Sequence, residues 1–317
     1  MQKKILFAVD GSSRCLEALS TVGKLLKNQA DSHLILFYCV QQLSSLYTVE
    51  MDEVDAAKVF SGKVERIGDS VLQEASRVLL DSGFPADRIQ SKVELGSQDP
   101  ADDILRRAQA EGIGTIALGR RGRSSAERFL LGSVSCKVAH HSGPDAVWIV
   151  DTPVDESQKV LLAVEGAQDC RVLTQYAGEF LGSIPDLQFT ILHLMPPVPP
   201  AYWDHGRILS QEEKRILQIH LEKYQSQWTK DAENYMAEGE NVLIQKGIPP
   251  ENVTTRIIPT HIGIARDLLN EISENCYEIV LIGKKSFQKK TPFLVGSRAN
   301  KILHRVRGVM LCMVDSQ

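Results

Sequence analysis

The chain has 317 residues, 43% hydrophobic and 24% charged, with a formal net charge of −4. That length exceeds what one compact core holds, so two domains of ordinary size are expected, and the small negative charge gives no global basis for binding nucleic acid or an anionic membrane surface. No apolar run approaches a membrane span, and the run behind Met1-Gln2-Lys3-Lys4 covers only residues 5–9, too short for a signal-peptide core, so a cytoplasmic protein is expected.

In chain order, Lys4-Ile5-Leu6-Phe7-Ala8-Val9 reads as a buried strand feeding the turn Asp10-Gly11-Ser12-Ser13. Leu16, Leu19, Val22, Leu25 and Leu26 then recur at helical spacing. A second strand over residues 33–40 leads through a polar loop to a second helix marked by Ile67, Val71, Ala75, Val78 and Leu79. A third strand near residues 89–93 precedes Gly96-Ser97-Gln98-Asp99-Pro100, where Asp99 can cap a helix with Pro100 at its first position. The fourth strand, Thr115-Ile116-Ala117-Leu118, delivers Gly119-Arg120-Arg121-Gly122, nine further residues, and Gly132-Ser133-Val134-Ser135 at the start of a helix. Ala146-Val147-Trp148-Ile149-Val150 is a fifth strand. This alternation predicts a parallel, doubly wound sheet.

After a linker around residues 151–158 the pattern restarts, since Lys159-Val160-Leu161-Leu162-Ala163-Val164-Glu165-Gly166 echoes residues 4–11. Residues 188–194, 254–258, 278–282 and 308–314 match the second to fifth strands. The expected architecture is therefore α/β with two tandem doubly wound domains, residues 1–152 and 158–317, each a five-stranded mainly parallel sheet flanked by helices. Glu165 stands against Asp10 at the first strand, and Gly283 against Gly119 with Gly296 against Gly132 at the glycine loop. The offset grows between these two places, so extra residues are expected around the proline-rich stretch 196–203 and the helix after it. That helix, residues 211–246, carries Leu217, Leu221, Tyr224, Trp228, Tyr235 and Val242 and is expected to turn this stripe to its own sheet.

The loop after the fourth strand is where chemistry is expected. Backbone N–H groups at a glycine-rich turn and a helix N-terminus converge on one spot and favour an anion such as phosphate. Ser133 and Ser135 can add hydroxyl donors, and Arg120, Arg121 and Arg123 could supply charge. There is no GxxxxGK[ST] motif, GxSxG elbow or CxxC pair. The six cysteines are scattered and expected to be free thiols, with Cys39 and Cys312 buried. Cys136, His140 and His141 share one helix without a second ligand cluster in the sequence, so no metal site is expected.

Gly-x-x-Gly-x9-Gly-Ser after a fourth strand, with Asp10 ending the first, resembles the ATP-binding branch of the universal stress protein family. Two copies in one chain look like a tandem member, and the resemblance covers essentially the whole sequence. It implies a nucleotide α-hydrolase-like fold and ATP, with or without Mg2+, as the ligand. It further implies that Asp10 holds the adenosine part, that Val40 contacts the adenine edge through its backbone, and that Gly119, Gly122, Gly132, Ser133 and Val134 surround ribose and phosphates. The second half departs from the pattern: Glu165 replaces the Asp, and Ser286 replaces the second glycine of Gly283-Lys284-Lys285-Ser286, while Gly296-Ser297 remains. One competent nucleotide site per chain is expected, and the basic second loop, with Lys284, Lys285, Lys289 and Lys290, reads as a charged surface loop, with binding of a weaker or different anion as the alternative.

The implied role is a stress-response regulatory protein with slow or no hydrolysis, since no general base paired with a metal site appears. An adenylating or ATP-hydrolysing enzyme of the wider group, and a small-ligand-binding pair without nucleotide, are the alternatives. Family members commonly pair their last strands, so Val147 to Val150 and Val309 to Val314 are expected side by side within the chain. Such edges also allow a homodimer of the whole chain.

Overall fold

The computed structural model describes residues 3–41, 53–122, 131–141, 143–154, 157–195, 210–284 and 297–315. The first half runs β1 (Lys3–Val9), α1 (Ser13–Leu26), β2 (Ser32–Gln41), α2 (Glu53–Asp81), β3 (Ile89–Ser97), α3 (Pro100–Ala110), β4 (Thr115–Gly119), α4 (Ser133–His140) and β5 (Ala146–Val150). The second repeats the order with β6 (Lys159–Val164), α5 (Ala167–Leu181), β7 (Gln188–Met195), α6 (Gln211–Gln245), β8 (Val253–Pro259), α7 (Ile264–Asn275), β9 (Ile279–Gly283), α8 (Ser297–Arg305) and β10 (Met310–Val314).

All ten strands lie in one sheet, ordered β3-β2-β1-β4-β5-β10-β9-β6-β7-β8. Every neighbouring pair is parallel except β5 and β10, which run antiparallel with Val150 opposite Met310, Trp148 opposite Cys312 and Ala146 opposite Val314. Both central strands are buried along their full length.

The strand period of two sends alternate side chains to opposite faces. Ile5, Phe7 and Val9 join one core with residues of α1, α2, α5 and α6, whereas Leu6, Val147 and Ile149 join another with α3, α4, α7 and α8. Helix starts follow local chemistry. Ser12 Oγ accepts from the Cys15 N–H at the start of α1, and Asp99 Oδ1 accepts from the Ala101 N–H at 2.9 Å with Pro100 in the first turn of α3. Ser210 and Glu213 form a reciprocal capping box on α6.

Helix α6 corrects one expectation. Its buried residues are Ala232, Met236, Gly239 and Leu243, all in its C-terminal portion, and Trp228 of the expected stripe is exposed. Close approach decides the face, because a Cβ at Gly239 would stand 2.6 Å from Cys170 Sγ on α5. Among the described residues no helix is long and apolar enough to cross a membrane.

Hydrogen bonds cross from one half to the other beside the central strands. Trp148 Nε1–H of β5 donates to the Tyr176 hydroxyl of α5 at 2.8 Å, and the same oxygen lies 3.0 Å from Thr115 Oγ1 of β4. Phe180 stacks on Tyr176 and meets Trp148 edge-on.

Candidate functional site

The chain leaves β1 for β2 on one side, while β4 lies on the other, so the carboxyl ends of β1 and β4 flank a topological switch point. Open parallel sheets present their ligand crevice at such a place. Asp10 follows β1 directly, and its Oδ1 accepts from the Ser12 N–H at 2.9 Å and the Ser12 hydroxyl at 2.7 Å. These bonds fix the carboxylate over the start of α1. Gly122 meets it from the other side, since a Cβ there would stand 2.0 Å from Asp10 Oδ2. Any larger residue at 122 would push the carboxylate away.

The rest of the glycine loop closes on itself. Gly119, the last residue of β4, is buried and its carbonyl accepts from the Ser135 hydroxyl at 2.8 Å. The Gly132 N–H donates to the Arg120 carbonyl at 3.0 Å, and a Cβ at Gly132 would lie 3.4 Å from that same oxygen. Gly132 is the N-cap of α4. The next three N–H groups, of Ser133, Val134 and Ser135, belong to the helix turn that has no intrahelical acceptor. Ser133 is exposed and Val134 half-buried. Val40, just beyond Tyr38, the last position of β2 that pairs with β1, is buried and lies where the β2–β3 register shifts.

Two expected donors are spent elsewhere. The Ser135 hydroxyl is tied to Gly119, so only its backbone faces the helix end. Arg120 is 2% exposed, and its Nη2 donates to the carbonyls of Leu303 and His304 at 2.9 and 3.0 Å, at the C-terminal end of α8. Its Nε lies 3.7 Å from Asp151 Oδ2. Burial, with Arg307 and Arg121 nearby, pushes the guanidinium down to about 10 from its ordinary value. The loop follows a strand that ends beside the seam, and a helix C-terminus rich in unsatisfied carbonyls is the nearest counter-charge. The Arg120 side chain therefore serves the junction of the halves, in place of the expected phosphate contact. Arg123 lies outside the described residues.

Cys15, one turn into α1, is buried, and burial and the Asp10 charge push its thiol up to about 12, which suits packing more than nucleophilic chemistry.

The second half builds the same corner differently. Glu165, equivalent to Asp10, accepts from Arg298 Nη1 at 3.0 Å. Arg298 is the counterpart of Val134 in the repeat, so this ion pair ties the carboxylate equivalent to Asp10 to the start of α8, where the first half has an uncharged residue. Asp169 on the first turn of α5 lies over the loop, where a Cβ at Gly283 would be 2.2 Å from its Oδ1. Its Oδ2 accepts from the Glu165 N–H, while Oδ1 is buried without a hydrogen-bond partner among the described residues. Burial raises this carboxyl to about 6 from 3.8. Lys284 is buried and donates to the carbonyls of His141 and Pro144. It is therefore a crossing residue, contrary to the expected surface charge. Lys285, Ser286, Lys289, Lys290 and Gly296 lie outside the described residues.

Sequence reasoning missed Asp169, Arg298 and the crossing by Lys284. Arg298 was detectable by aligning the halves on Gly119 and Gly283, which sets it against Val134. A groove of about 570 Å3 beside α6, lined by Gln225, Thr229, Glu233, Thr255 and apolar neighbours, has no cation in its lining among the described residues and lies in the second half, apart from the Asp10 corner. The converging backbone and carboxylate at Asp10 are the better chemical guide.

The model of the "Universal stress protein family" matches residues 1–150. Universal stress protein YxiE of Bacillus subtilis is 31% identical over 145 residues, covering 45% of this chain and 95% of that protein. A universal stress protein structure from Archaeoglobus fulgidus covers 100% of both chains with a TM-score of 0.63 at 18% identity, a likeness of fold. Another, a universal stress protein solved in complex with cAMP, covers 47% of this chain at 22% identity with a TM-score of 0.33. With its first half matched to nearly the whole length of a curated relative, this chain belongs to the universal stress protein family.

Proposed function

We propose that this protein is an adenine-nucleotide-binding regulator of the stress response, built from domains 1–152 and 158–317, with ATP held by the first. The observation that carries the reading is the meeting of Asp10 and Gly122 at the switch point beside the N-terminus of α4. A fixed carboxylate can accept from ribose hydroxyls, and the N–H groups of Ser133, Val134 and Ser135 with the helix dipole suit phosphate oxygens. The arginine charge expected at the phosphates is reduced, because Arg120 is committed to α8. Backbone donors then carry the anion, which favours holding nucleotide over stabilising a transferring phosphoryl group. Slow or absent hydrolysis follows from that reading.

The second domain differs at the two places that matter. The Glu165–Arg298 pair fills the corner, and Asp169 brings negative charge against Gly283. Both features disfavour a phosphate there, in line with one nucleotide per chain. The antiparallel β5–β10 pairing supports a pseudo-symmetric pair of domains within one chain.

Thermal unfolding with and without millimolar ATP and Mg2+ tests the reading. A ligand that binds only the folded state stabilises by about 2.7 kcal/mol at a hundredfold excess over Kd. The wild type is expected to shift upward, and Asp10→Ala and Gly132→Val to lose the shift. No shift in the wild type, or full shifts in both variants, overturns the assignment.

A further inference from the structure

Cys136 and His140 lie one turn apart on α4 and so share one face of the helix. In the repeat, Cys136 corresponds to Asn300 and His140 to His304, so α8 presents an equivalent pair. The two faces meet beside the β5–β10 seam. His140 Nε2 lies 2.9 Å from Asn300 Oδ1, and the rings of His140 and His304 are 6.3 Å apart between centroids. One ligating atom from each of Cys136, His140 and His304 falls within 4.8 Å of the other two.

We propose that Cys136, His140 and His304 form a site for a Zn2+-class divalent ion, shared between the two halves, with the fourth position left to water. One sulfur and two imidazole nitrogens select zinc-like ions over Mg2+ or Ca2+, which prefer oxygen. Cys136 Sγ lies 3.6 Å from His140 Nδ1. A tetrahedral ion with bonds of about 2.3 Å to sulfur and about 2.0 Å to nitrogen separates its ligands by about 3.5 Å. The pair is therefore already spaced to bind.

The surroundings support the ligands. With Nδ1 on the metal, an Nε2–H donated to Asn300 Oδ1 would orient the His140 ring, the usual outer-shell arrangement. Nδ1 donates to the Cys136 carbonyl at 2.7 Å, a bond that metal binding breaks, with its proton released and the ring turned off the carbonyl. Binding ionises the Cys136 thiol and releases its proton to solvent. Arg120 and Arg307 lie beside His304. The same two arginines donate to the His304 carbonyl, and the thiolate offsets one of the two charges that the ion would bring near them. His304 is exposed and Cys136 half-buried, which gives an ion entry from solvent. The sequence held only the α4 pair, and the third ligand comes from the other half through the fold.

Co2+ titration of the chelator-treated full chain tests the site. The expected result is one Co2+ per chain with a thiolate-to-cobalt charge-transfer band and tetrahedral visible bands, which Zn2+ bleaches. Cys136→Ser should abolish the charge-transfer band, and His304→Ala, at an exposed position, should weaken affinity at least tenfold. Zn2+ should raise the Tm of the wild type by more than that of His304→Ala at the same concentration. An octahedral spectrum without the thiolate band overturns the proposal. So does a band that survives Cys136→Ser, which would belong to another thiol such as exposed Cys276, or an affinity unaffected by His304→Ala.

Discussion

Arg120 and Lys284, equivalent positions in the repeat, make the same crossing in opposite directions. Arg120 of the first half donates to the Leu303 and His304 carbonyls at the end of α8, and Lys284 of the second donates to the His141 and Pro144 carbonyls just past α4. The backbone repeats the reciprocity, since the Asp151 N–H donates to the Val309 carbonyl and the Asp315 N–H to the Asp145 carbonyl. Each half therefore neutralises a helix C-terminus of the other with a buried cation. Removing Arg120 takes this side-chain donor from the buried Leu303 carbonyl, while the His304 carbonyl keeps Arg307, at a cost of about 1–3 kcal/mol. Arg120→Met is expected to lower the unfolding free energy from denaturant titration by that amount while leaving the ATP-dependent thermal shift at its wild-type size. A tenfold loss of ATP affinity with unchanged stability would return the side chain to the phosphates.

Tyr176 joins the halves through its hydroxyl, which receives the Trp148 indole N–H and faces Thr115 Oγ1. Burial raises this phenol well above its ordinary value, so it stays neutral. Tyr176→Phe preserves the ring stacking on Phe180 and strands the indole donor, at a cost of about 1–3 kcal/mol. The variant is expected to unfold in one transition at lower denaturant. Two separated transitions would mean that the halves are held together chiefly by this hydroxyl and not by the seam strands.

Gly122 tests the nucleotide corner without removing a functional group. A Cβ there meets Asp10 Oδ2, the far end of a side chain, so the carboxylate can rotate and the fold survives. Rotation breaks the pair of bonds to Ser12 and moves the proposed ribose acceptor. Gly122→Ala is expected to keep its far-ultraviolet spectrum and lose at least tenfold in ATP affinity by calorimetry. Wild-type affinity in this variant would mean that Asp10 does not touch the nucleotide.

The inner strands β1, β4, β5, β9 and β10 were legible because each is a short apolar run closed by glycine or aspartate, and the repeat exposed the second half once β6 was set against β1. The corner at Asp10 was legible as residues, since a carboxylate after the first strand and glycines after the fourth must meet at the switch point. Side-chain direction was not. Arg120 and Arg121 look alike in a glycine loop, and only the packing of α8 against the seam commits Arg120 to a helix end. Likewise His304 carries no motif of its own and joins Cys136 and His140 only through the antiparallel meeting of β5 and β10. Of the aromatic residues of α6, Tyr235 packs on the core whereas Trp228 is exposed, because Ala232 and Gly239 set the contact by letting α5 approach.

Asp169 makes stability depend on pH in a direction opposite to most carboxylates. Its carboxyl titrates near 6 in the folded chain against an ordinary 3.8, because burial and the neighbouring Glu165 charge disfavour ionisation. A folded-state value above the unfolded one means that the contribution to stability is complete below about pH 4 and is lost as pH rises through about 6. Two units correspond to at most about 3 kcal/mol, and partial solvent access reduces that. Asp169→Asn keeps the oxygen that accepts from the Glu165 N–H and removes the charge. The variant is expected to match the wild type at pH 4 and to exceed it by roughly 1 kcal/mol or somewhat more at pH 8, measured by urea denaturation across that range. If the difference between the two proteins is the same at both pH values, the carboxyl is ionised throughout and burial does not govern it.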